Sequence, residues 1–188
     1  MAYEDITMTE RELIRECING NRLSQRKLYD MHSPLMFSIC LRYAGNYADA
    51  CDMLQDSFIK VFDNLHKFDF QGTFQGWIRR VVVNTCIDFH RYKKHNLSFE
   101  TIENTNSYLT TVNNEVILRL SSEDMLKAIQ KLPTTQRIII SLYAIDGYEH
   151  SEIAGILRIT ESASRSMLAK ARKSLSEKFK SIMTIAAL

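Results

Sequence analysis

The stretch from Tyr148 to Arg172 restricts this chain most, because two apolar patterns of helical period are separated there by only three residues. Ile153, Ala154, Ile156 and Leu157 put apolar atoms on one face of a short helix, and Arg158-Ile159-Thr160 interrupts it before a second run begins. Thr160 suits the N-cap of that run, since its hydroxyl can accept from a first-turn amide. Ala163, Met167, Leu168, Ala171 and Leu175 then recur at intervals that make one buried stripe. Ser162, Arg165, Ser166, Ala169, Lys170 and Lys173 are left outward. A helix-turn-helix with an outward basic second helix matches the width of a DNA major groove. The bland counterpart is a helical hairpin with a solvated face. Charge sorting weighs against it: residues 158–180 hold seven Lys or Arg against two Glu, whereas residues 1–72 hold eight against eleven Asp or Glu.

Only six Gly and two Pro in 188 residues, with no run of alternating β-branched residues, predict an all-helical protein. That length suits one domain or two small ones. A net charge of +2 is too small for a general nucleic-acid coat, so DNA binding would rest on local patches and on a partner. Cys17, Cys40, Cys51 and Cys86 stand far apart without metal-binding spacing, and read as reduced, mostly buried thiols of a cytosolic protein. His32, His66, His90, His95 and His150 show no catalytic or ligand spacing, and no nucleophile motif accompanies them. No enzyme, cofactor or metal site is therefore expected. The N-terminus has no apolar signal core and no segment reaches the length of a membrane span, so a cytoplasmic location without membrane insertion is expected.

Residues 9 to 20 read as a short polar helix. A longer helix follows from Arg22 to Gly45, with Leu28, Tyr29, Leu35, Met36, Ile39, Cys40 and Tyr43 at helical intervals and Pro34 marking a start or kink. Asp49 to Phe62 is amphipathic, with Ala50, Met53, Leu54, Phe58, Val61 and Phe62 inward. Gly72 and Gly76 mark a loop. Phe74 to about Lys94 is helical again, carrying apolar Trp77, Ile78, Val81, Val82, Ile87 and Phe89 before the basic end Arg91-Tyr92-Lys93-Lys94. Asn, Thr and Ser crowd the stretch from His95 to Ser122, as in a linker that buries too little surface to fold alone. The expected organisation is a first domain over 9–95, a linker over 96–122 and a second domain over 123–182. The second domain resumes with Leu126, Ile129 and Leu132, then Ile138 to Tyr143.

In the first domain, Phe74, Trp77, Asn84 and Arg91 to Lys94 mix aromatics, an amide and cations in and after a Gly-containing loop. Aromatic faces support splayed bases, Asn reads a base edge with donor and acceptor together, and the cations hold phosphates. Each piece has a second reading. Trp77 fits an apolar core, Asn84 fits a cap or bridge within the helix, and Arg91 to Lys94 fit a solvated helix end favoured by the dipole.

Taken with the second block, these residues resemble the bacterial extracytoplasmic-function sigma factors, two-domain promoter-recognition subunits of RNA polymerase. The resemblance covers about residues 10 to 180. It rests on the acidic segment Asp49 to Phe58, on Gly72-Thr-Phe74-Gln-Gly-Trp77, and on Val83-Asn84-Thr85 through Asp88 and Arg91. In the second domain it rests on Leu132-Pro133, Gln136-Arg137, Gly147-Tyr148, Glu152-Ile153-Ala154 and Ala171-Arg172. The sequence departs from the family pattern at Glu149, where Ser or Thr is usual, at Arg158, where a turn Gly is usual, and at Met167, a position that is often Arg.

The resemblance implies that Asp49, Asp52, Gln55 and Asp56 bind the clamp of the large polymerase subunit. It further implies that Gln71, Thr73, Phe74, Trp77, Asn84, Arg91, Lys93 and Lys94 engage the minus-ten element, with Asn84 and the loop Gln71 to Phe74 holding a flipped base. Arg165, Ser166, Ala169, Lys170 and Arg172 match the helix that meets the minus-thirty-five element, Arg165 or Lys170 reading guanine edges or holding phosphates. The implied partners are core RNA polymerase, promoter DNA and an anti-sigma factor. Two rivals remain at this point. An autonomous helix-turn-helix regulator explains residues 126–180 but leaves Trp77 to Lys94 unassigned, and a helical protein-binding adaptor leaves the basic face idle.

Overall fold

A computed structural model of the chain describes residues 8–97 and 122–186, the side chains of 93–97, 122–123 and 178–186 excepted. The expected linker thus falls almost wholly outside the described residues. Eight α-helices follow one another among them, and no strand occurs. They are α1 (Glu10–Ile18), α2 (Arg22–Tyr43), α3 (Tyr47–Asn64), α4 (Phe74–Leu97), α5 (Ser122–Gln130), α6 (Thr134–Ile140), α7 (His150–Leu157) and α8 (Glu161–Ala186). A 3-10 turn, Leu65–Lys67, follows α3, and a π-helical turn, Ser141–Ile145, follows α6. The chain forms two compact units, one of the residues up to Cys40 with Cys51–Lys94, the other of Leu41–Ala50 with the residues from His95 on.

In the first unit, α1 is more than a polar helix. Thr9 caps it, exchanging hydrogen bonds with Glu12, and Leu13, Ile14 and Cys17 are buried beneath it. Pro34 lies inside α2 and does not end it. A proline in a helix interior costs about 3 kcal/mol, but the turns around it bury Leu28, Met36, Ile39 and Cys40, and burying each such side chain returns about 1.5–3 kcal/mol. Leu35 is exposed, although helical spacing puts it beside Leu28 and Ile39 at the edge of that stripe. On α3 the inward set is Ala50, Met53, Leu54, Phe58 and Val61, with Phe62 only half-buried at its margin. All four cysteines are free thiols; burial pushes that of Cys17 up to about 11, beyond easy ionisation.

The second unit closes on Ile129, Leu132, Ile138, Ile139, Leu142, Ile153, Leu168, Ala171 and Leu175, drawn from every helix of α5 to α8. Arg137 Nη1 donates to the Gln130 carbonyl at 2.9 Å and ties α6 back to the end of α5. The π turn widens the backbone so that the Asp146 amide donates to the Ser141 carbonyl at 2.9 Å, and Gly147 at φ +79° turns the chain toward α7.

Candidate nucleic-acid interface

The head of α4 is a loop built of aromatics. Phe68 is buried, and its ring lies 5.0 Å from Phe70, 5.2 Å from Phe74 and 5.7 Å from Trp77, centroid to centroid. Phe74 and Trp77 stack at 5.8 Å with only 15° between planes. Trp77 is half-buried, so it is neither wholly core nor a free wedge: one face is occupied by Phe74 and part of the ring stays accessible. Phe70 carries φ +61°. A bulky side chain resists that conformation, which costs about 1–3 kcal/mol and persists only where its surroundings impose it. Asp69 Oδ1 accepts from the Gln71 amide at 2.9 Å and Gly72 sits at φ +84°, which together complete the turn.

Gly76, expected in the loop, belongs to the first turn of α4. Thr73 is the cap: its Oγ1 accepts from the Gly76 amide at 3.2 Å. A Cβ on Gly76 would stand 3.0 Å from that oxygen, so glycine serves close approach of the cap here rather than a turn. Gln71 and Thr73 are exposed, whereas Phe74 is buried. From the loop, Arg80, Asn84, Asp88, Arg91 and Tyr92 run along one exposed face of α4 at helical spacing. Asp88 pairs with Lys60 of α3 and with Arg91, each at 3.3 Å. Arg91 is therefore partly neutralised, while Asn84 stands open. The side chains of Lys93 and Lys94 lie outside the described residues.

His32 of α2 meets Phe74 edge-on, ring centroids 5.3 Å apart, and its Nε2 is buried with no hydrogen-bond partner in the protein. Burial depresses its pKa below the ordinary 6.5, against a smaller opposing pull from Glu10. On α3, Asp52, Gln55 and Asp56 are exposed and Asp49 is half-buried, its amide donating to Asn46 Oδ1 at 2.8 Å. Ile59, one turn beyond Asp56, is 60% exposed on the same face, an apolar residue that the sequence pattern did not single out.

In the second unit, α7 ends at Arg158 in the left-handed conformation, φ 53° and ψ 50°. The Ile159 amide reaches back to the Ala154 carbonyl at 3.1 Å, and Thr160 Oγ1 accepts from the Ala163 amide at 3.1 Å to start α8. Arg165, Ser166, Ala169, Lys170 and Arg172 all lie exposed on α8. Arg165 is held by Glu161 at 2.8 Å, and the Arg172 guanidinium sits over the Tyr143 ring, 5.6 Å from its centroid. Tyr143 stacks on His150 at 4.5 Å, and His150 Nδ1 lies 2.9 Å from the hydroxyl of buried Ser164. Ser164, not Ala163, is thus the first fully buried residue of α8; a serine can occupy that stripe because His150 satisfies it.

Two family models match the chain in order, Sigma-70 region 2 over residues 28–96 and Sigma-70, region 4 over residues 122–175. The ECF RNA polymerase sigma factor SigW of Bacillus subtilis is 24% identical over 185 residues, covering 93% of this chain and 99% of the relative. The ECF RNA polymerase sigma-E factor of Escherichia coli is 26% identical over 181 residues, covering 91% and 94%. The chain belongs to the extracytoplasmic-function sigma factors. A solved sigma factor RpoE, in complex with the anti-sigma factor NepR from Bartonella quintana, shares the fold at a TM-score of 0.53 and 18% identity, over 82% of this chain and 96% of that one.

A sigma factor directs promoter-specific initiation by RNA polymerase, and the family is one of initiation factors rather than of enzymes. Among the described residues of this sigma factor, no helix is long and apolar enough to cross a membrane and no cluster of His, Cys, Asp or Glu could hold a metal ion. Two of its departures from the family pattern have a local account. Glu149 stands at the cap of α7, where its amide donates to Glu152 at 2.8 Å. Arg158 adopts the left-handed turn itself. Met167 is half-buried on α8, turned from the exposed face that carries Ser166 and Lys170.

Proposed function

We propose a division of labour over three surfaces. The exposed acids Asp52 and Asp56, with Asp49, Gln55 and Ile59, form the surface for the polymerase clamp: carboxylates steer a basic partner, and Ile59 supplies apolar area at the centre. Gln71, Thr73, Trp77, Asn84 and Arg91, continued by Lys93 and Lys94, take up the unpaired minus-ten strand, with Phe74 acting from beneath as the support on which Trp77 stacks. The α8 face of Arg165, Ser166, Ala169, Lys170 and Arg172 reads the minus-thirty-five duplex. The segment 96–122 tethers the two DNA-reading domains, 9–95 and 123–182. An anti-sigma factor is the expected regulator, and the cytoplasm the expected location.

The observation that carries this reading is the open face of Asn84, in line with an aromatic loop and free of the ion pairs that occupy Asp88 and Arg91. Extruding a base costs a few kcal/mol, while stacking returns about 1–3 kcal/mol per base. The two nearly cancel, so melting needs polymerase and the duplex anchor as well. In reconstituted transcription, Arg165→Ala and Lys170→Ala should each lower promoter-specific output while assembly with core polymerase is kept. Equal output from wild type and both variants overturns the assignment of α8. A gel shift without polymerase should show little specific binding; tight binding there would favour the autonomous regulator.

A further inference from the structure

The strained loop is touched by a cation that no part of the proposed interface uses. Arg11, in the first turn of α1, places its guanidinium 4.7 Å from the centroid of the Phe70 ring. Its position in the helix does not explain it, since the positive end of the helix dipole disfavours a cation in the first turn. The ring face does, because it carries the negative lobe of the aromatic quadrupole. The mount is firm: the Thr9–Glu12 box fixes the first turn of α1, while Leu13, Ile14 and Cys17 anchor the helix in the core that also buries Leu65 and Phe68. Phe70 in turn sits at φ +61°, a conformation that its own backbone resists, with Phe68 on one side and Arg11 over its face.

We propose that Arg11 is a positioning residue for capture of the minus-ten base: it clamps Phe70 and so keeps the loop 69–73 ordered before DNA arrives. The inference rests on the reading that this loop engages the unpaired strand. A loop already ordered binds without the conformational cost that a slack loop incurs on binding. Arg11 itself touches no base; it acts through Phe70 on the presentation of Gln71 and Thr73.

The test uses holoenzyme and a dye-labelled non-template oligonucleotide carrying the minus-ten element of a promoter that this holoenzyme transcribes, with an abasic site moved through the element. Arg11→Ala should weaken binding of the intact oligonucleotide about 3- to 5-fold, the range of an exposed cation–π contact, and should shrink the penalty at the most sensitive abasic position. Arg11→Lys should recover most of both, and Arg15→Ala, on the same helix, should change neither. An abasic penalty in wild type that Arg11→Ala leaves untouched overturns the clamp and spares the loop reading. No abasic penalty in wild type overturns the loop reading and the clamp with it. Equal losses in oligonucleotide binding, core assembly and melting temperature on Arg11→Ala show mere structural support, and overturn positioning.

Discussion

Among the described residues, two other than glycine adopt the left-handed conformation, one in each unit, and their settings differ in kind. Arg158 turns the chain between α7 and α8 with its side chain exposed, and nothing about its identity is used by the turn. Phe70 turns the chain ahead of α4 with its ring against Phe68 and beneath Arg11. The first strain is incidental, a non-glycine residue where the family usually has glycine. The second is held in place by neighbours from α1 and the aromatic cluster, as expected where a conformation is needed for binding rather than for connectivity.

Removing each residue should separate these cases. Phe70→Ala keeps the unfavourable backbone and discards the ring, and should destabilise the first unit by about 2 kcal/mol, less than the roughly 3–5 kcal/mol for a fully buried phenylalanine because the ring is only half-buried. Promoter melting should fall further than that loss of fold explains. Calorimetry together with permanganate reactivity measures both, and an unchanged melting temperature would remove the distinction. Arg158→Gly should act the other way, raising stability by about 1 kcal/mol and the melting temperature of the second unit by several degrees, with transcription unchanged. A loss of stability there would mean that the arginine side chain is used after all.

The cluster beneath Phe74 offers a gentler probe. His32 is neutral in the folded protein because burial lowers its pKa below 6.5. As pH falls below that value the unfolded chain takes up a proton that native His32 resists, so stability is complete above it and declines with acid until the folded value is passed. His32→Gln should flatten that decline in urea titrations across the same pH range; an identical slope would show that another group causes it. The smallest effect is expected from Glu161→Ala, which frees Arg165 from an exposed ion pair of the kind that contributes at most about 0.5 kcal/mol. Duplex minus-thirty-five binding should tighten no more than about twofold, and any weakening would place Glu161 itself at the interface.

The contrast also marks what could be read from the amino-acid sequence. Periodicity marked α1 to α4, α7 and α8, the inward residues of α3 apart from Phe62, and Leu168, Ala171 and Leu175 of α8, because burial repeats with the helix and needs no partner to be named; of α5 and α6 it marked only the apolar residues. Thr160 was legible as a cap since its role is local. Phe70 was not, because nothing in a phenylalanine announces a positive φ; its neighbours impose it. Ser164 was missed for a similar reason, its partner His150 being fourteen residues away across the turn. Gly76 misled because a glycine signals freedom of backbone, whereas here it signals room beside Thr73. Leu35 and Ile59 show the limit of apolar spacing: both are hydrophobic, and both face solvent.

Asn84 should meet the opened strand while α8 holds the duplex. Permanganate footprinting of a promoter by holoenzyme reconstituted with wild type or Asn84→Ala tests this directly. Wild type should expose reactive thymines in the minus-ten element, and Asn84→Ala should assemble with core polymerase yet leave those thymines protected. Full reactivity with the variant would contradict the assignment.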